Sequence, residues 1–110
     1  MPDTLPKRFT DAELSKIMEE ASIYMCACPA QVAESLTQLR ALYKYQRNCI
    51  QTGSLMMGVH DRIARATAAA HQEMECCLDD VLAMEGWDRA TLTMPEGLRQ
   101  RRDELLNGDD

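Results

Sequence analysis

Aromatic residues are scarce in this chain: one Trp, one Phe and three Tyr among 110 residues. Branched residues are few as well, with three Val and four Ile. Strands are built from those residue types, so a sheet-based domain is excluded. Long apolar runs are also missing. No stretch approaches the ~20 residues of a membrane span. The opening Met1-Pro2-Asp3-Thr4-Leu5-Pro6-Lys7-Arg8 has no apolar core of signal-peptide length. The expectations are no membrane and a cytoplasmic protein.

A positive charge excess is absent too. Net charge is −6. Residues 1–53 carry six Lys/Arg and six Asp/Glu, while residues 54–110 carry six Arg and twelve Asp/Glu. A general nucleic-acid binder needs a basic surface for phosphates, so no nucleic-acid partner is expected. Catalytic signatures are wanting: no phosphate-cradling glycine loop, no Gly-x-Ser-x-Gly elbow, no His-Glu-x-x-His. No catalytic residues are assigned, and the chain is read as a non-enzyme.

Ala, Leu and Met dominate the apolar residues that are present, and all three favour helix. The expected fold is all-α. Thr10-Asp11-Ala12-Glu13 is a capping-box pattern. Leu14, Ile17, Ala21 and Met25 (or Tyr24) recur behind it at helical spacing, which predicts a first helix over 11–26. Pro29 breaks the chain and suits the first turn of a second helix over 29–50. The residue before a proline is pushed out of the α region, so Cys28 is expected at the non-helical N-cap. Gln51-Thr52-Gly53-Ser54 signals a turn, and a third helix follows over 55–85 to Gly86. Its apolar seam reads Met56, Val59, Ile63, Ala66, Ala70, Met74, Cys77, Val81, Met84. Residues 87–92 read as a loop or a short turn of helix. Thr93-Met94-Pro95-Glu96 repeats the capping box before a short last helix over 95–106.

The architecture predicted is a small antiparallel bundle of three main helices plus a short C-terminal one, its core a long hairpin of the second and third helices. Residues 1–9 are expected as a flexible arm, 10–106 as one domain and 107–110 as a frayed end. The third helix outruns its neighbours, so a homodimer is expected to cover the overhang.

Four of the five cysteines give the one hint of chemistry. Cys28 lies 24 residues before the turn at 52, and Cys76 lies 24 after it. An antiparallel hairpin levels them, with Cys26 and Cys77 close by. Helix N-termini favour thiolate, and thiolates bind soft metals. Cys26, Cys28, Cys76 and Cys77 are therefore a candidate site for Cu(I), zinc or an iron–sulfur cluster, or for a redox response. The spacing matches no standard zinc pattern, and free cysteine is often plain core filling. Cofactor use is therefore left open between none and a thiolate-bound metal. Arg40, Tyr43, Lys44 and Arg47 line one side of the second helix and form a candidate docking stripe for a protein partner. His60 and His71 are eleven residues apart, too far for one metal, and read as surface or flank residues. Two functions stand: a helical interaction or regulatory protein, and a soft-metal or redox-responsive thiol bundle.

Overall fold

The structure, a computed structural model, describes residues 5–21, 28–51 and 56–95. Within them the regular structure is α1 (Asp11–Ala21), α2 (Cys28–Gln51) and α3 (Met57–Glu85), with no strand among the described residues. The all-α reading holds. α2 is the central element and packs against both α3 and α1. The C-terminal helix predicted over 95–106 falls almost wholly outside the described residues, as do the end of the first predicted helix and the turn over 52–55. Pro95 itself lies beyond any helix.

α1 starts as its sequence dictates. Glu13 N–H donates to Thr10 Oγ1 at 3.0 Å, and Thr10 N–H donates to Glu13 Oε1 at 2.8 Å. The reciprocal cap satisfies two backbone donors that the helix itself leaves open. Leu14, Ile17 and Ala21 then point inward. α2 begins one residue earlier than expected, at Cys28, so Cys28 is helical rather than the non-helical N-cap. Pro29 is buried in the first turn, where its missing N–H costs nothing.

α3 ends on Gly86, whose φ of 79° is the left-handed conformation that a Cβ disfavours. Trp87 N–H reaches Leu82 O at 2.9 Å, and Gly86 N–H reaches Ala83 O at 3.1 Å. This pair of bonds is a Schellman stop, and Trp87 and Leu82 share one core cluster across it. Residues 87–92 form a loop. Asp88 and Thr93 make a single antiparallel bridge, and Asp88 Oδ1 accepts from Ala90 and Thr91 N–H. The loop turns Trp87, Leu92 and Met94 into the core beside Phe9, Leu14, Ile17, Leu36, Leu78 and Leu82. Burying each large apolar side chain contributes about 1.5–3 kcal/mol. That gain outweighs the left-handed backbone of Leu92, whose φ is 56°.

Two expectations need correction. Residues 5–9 form no helix or strand but are no free arm: Leu5 and Phe9 are buried, and Leu5 joins Tyr43 and Ala64 in a second cluster. The inward face of α3 is also rotated. Ala64, Thr67, His71, Glu75, Leu78 and Leu82 are buried, one position along from the predicted seam and so turned by ~100°. Two polar residues on that face, His71 and Glu75, have internal partners, which makes their burial tolerable.

Candidate functional site

The polar heart of the bundle centres on Arg40. Its Nε donates to His71 Nε2 at 2.9 Å, and its Nη1 donates to Asp11 Oδ1 at 2.6 Å. Its Nη2 donates to Phe9 O at 2.6 Å and to Glu75 Oε2 at 3.1 Å. Glu75 Oε2 also accepts the backbone N–H groups of Arg8 and Phe9, at 2.7 and 3.1 Å. One guanidinium and one carboxylate thereby fasten the N-terminal segment, α1, α2 and α3 together. A second cation, Arg89, works from the outside. It pairs with Asp79 at 2.8 Å and Glu13 at 3.9 Å, and lies 4.1 Å from the centre of the Phe9 ring.

His71 is 1% exposed; the surface reading is overturned. Burial, foremost, pushes its pKa below the usual histidine value, and the Arg40 charge adds to this while Glu75 opposes it. The ring is neutral, with Nε2 the acceptor. Its Nδ1 faces Glu75 Oε1 at 3.7 Å. The Arg40 bond holds the Asp11 carboxyl below its usual range. His71 and Glu75 border a groove of about 440 Å³ with Pro6, Arg8 and Gln72. Arg40 engages His71 Nε2, and three donors engage Glu75 Oε2. The pair is a fastening rather than a presented acid and base. His60, half-buried, sits 2.6 Å from Gln46 Oε1 through its Nδ1.

A larger groove, about 540 Å³, lies on the other side of the N-terminal segment, with Lys7 bordering both. Leu5, Asp11, Thr37, Arg40, Tyr43, Lys44 and Arg47 line it. The structure thus brings together all four residues of the candidate docking stripe. α1 begins at Asp11, level with Arg40, so it does not cover α2 beyond that point. Four cations and one acid line this groove on a chain of net charge −6. Arg40 serves the internal fastening as well as the groove wall, with its side chain only 9% exposed. Lys44 is exposed at the wall, while Tyr43 is buried and forms floor.

The thiols are less telling. Cys28, Cys76 and Cys77 are half-buried and none is in a disulfide among the described residues; Cys26 lies outside the described residues. Among the described residues no three His, Cys, Asp or Glu side chains are grouped to hold a metal. No helix among those residues is long and apolar enough to cross a membrane. The chain matches no family model, no curated protein and no solved structure.

Proposed function

We propose that this protein is a non-catalytic helical interaction module, a small dimeric bundle of the cytoplasm that docks onto a protein partner. The observation that carries the reading is the groove beside α2. It has an apolar floor at Leu5 and Tyr43 and a cationic wall at Lys7, Lys44 and Arg47. Such a groove suits a partner segment that offers apolar anchors flanked by acids. The tying-up of His71 and Glu75 by Arg40 fits a bundle built to hold a surface rather than to move protons.

Quantitative capture from cells that make the protein tests this. Wild-type bait is compared with Lys44→Glu in the groove and with Arg65→Glu, an exposed cation of α3 paired to Asp61. Both variants change charge equally. The reading predicts that a discrete partner set falls away with Lys44→Glu and persists with Arg65→Glu. Identical capture by all three baits contradicts it.

A further inference from the structure

The rotation of α3 leaves its most apolar stripe largely outside the core, with only Met74 of the stripe packed against the main cluster. Met56, Val59 and Met84 are 58, 47 and 84% exposed. Ala66 and Ala70 are exposed between them, and Ile63, Met74, Cys77 and Val81 are half-buried. No charged residue interrupts these nine positions, which run ~42 Å along the helix at ~1.5 Å per residue. A monomer rarely leaves so long an apolar surface to water.

The spacing along the stripe reads the same in both directions: 3, 4, 3, 4, 4, 3, 4, 3, with Ala70 at its centre. Residue identities at the ends repeat this symmetry, Met56 matching Met84 and Val59 matching Val81. A two-fold interface between identical chains needs this property, because residue i must meet j wherever j meets i. Set antiparallel about Ala70, two copies of α3 place Met56 against Met84, Val59 against Val81, Ile63 against Cys77 and Ala66 against Met74. Ala70 meets itself on the axis. The small central residues allow the backbones to approach closely there, Ile63 meets the smaller Cys77, and flexible Met meets Met at the ends.

We infer that a second copy of this chain covers the stripe, and that two α3 helices pair antiparallel about a two-fold axis at Ala70. The inference rests on the dimeric part of the proposed function and adds its surface and register. This face of α3 is distinct from the basic groove, whose described lining comes from the N-terminal segment, α1 and α2. Both surfaces can therefore be used at once.

Sedimentation equilibrium of the full chain, with circular dichroism to confirm retained helix, tests the inference. Wild type should sediment at twice the 12.4 kDa chain mass. Ala70→Glu sets two carboxylates against each other on the axis and should weaken the dimer about 100-fold. Met56→Glu should weaken it less. Adding Met84→Lys to Met56→Glu should restore it, because those positions meet only in the antiparallel register. A wild type that stays monomeric throughout overturns both this inference and the dimeric reading. A dimer indifferent to Ala70→Glu overturns the interface alone. Failure of Met84→Lys to rescue Met56→Glu overturns the register.

Discussion

Arg40 Nε donates to His71 Nε2 at 2.9 Å, so a buried imidazole serves as acceptor for a permanent cation. Protonating that nitrogen breaks the bond and sets two positive charges together in the core. The pKa of His71 is accordingly depressed, by burial first. The unfolded chain takes up that proton near the ordinary 6.5. Stability is therefore fully present above that pH and declines as pH falls below it toward the depressed folded value. Urea denaturation midpoints across this range should drop on acidification, and His71→Gln should flatten that part of the profile. Asp11 acts in a separate, lower window. Its carboxyl is held down by Arg40, so its share persists above the ordinary 3.8 and is lost only as pH falls below it.

Glu75 and Arg40 form a buried pair, at 4 and 9% side-chain exposure. Removing Arg40 strands the Glu75 charge, and removing Glu75 leaves Arg40 with the largely exposed Asp11 as its carboxylate partner. Glu75→Ala should cost about 3–5 kcal/mol, because the Arg40 guanidinium and two backbone N–H groups lose their shared acceptor. Arg40→Met, which also releases Asp11 and Phe9 O, should cost a similar amount. Arg40→Met with Glu75→Met should cost clearly less than the sum of the two singles, since no lone charge remains. A double-mutant cycle in urea measures the coupling; additive losses would contradict the fastening.

Gly86 ends α3 in the left-handed conformation. A Cβ there meets only Pro95, at 3.8 Å or beyond. The cost of Gly86→Ala is therefore conformational rather than steric, about 1 kcal/mol. Gly86→Asn should cost less, because Asn tolerates that backbone. Trp87, the sole tryptophan and buried next to the stop, reports the unfolding by fluorescence.

The helices themselves were legible because their signals are local. Thr10 with Glu13 marked a start, Pro29 a first turn and Gly86 a stop, and each signal stands in the structure as written. The stripe of Arg40, Tyr43, Lys44 and Arg47 was legible as a set because one helix carries all four. The inward face of α3 was not. Two stripes compete on that helix, and the one through Met56, Ile63 and Met84 holds the more apolar residues. The buried one contains Thr67, His71 and Glu75, whose burial makes sense only once Arg40 of α2 and the Phe9 backbone are placed beside them. Those partners are 31 to 66 residues away in sequence, so no local pattern announces them. The groove was hidden as well, since one of its walls is the segment through Leu5 and Lys7, which carries no helical signal of its own.

The docking claim is tested most directly by a photo-crosslinking residue placed in the groove at Asn48, compared with one at Ala90 in the exposed loop after α3. The groove position should yield a discrete crosslinked partner band in cells, which Lys44→Glu abolishes, while position 90 yields none. The same adducts from both positions, or none from Asn48, would contradict the account.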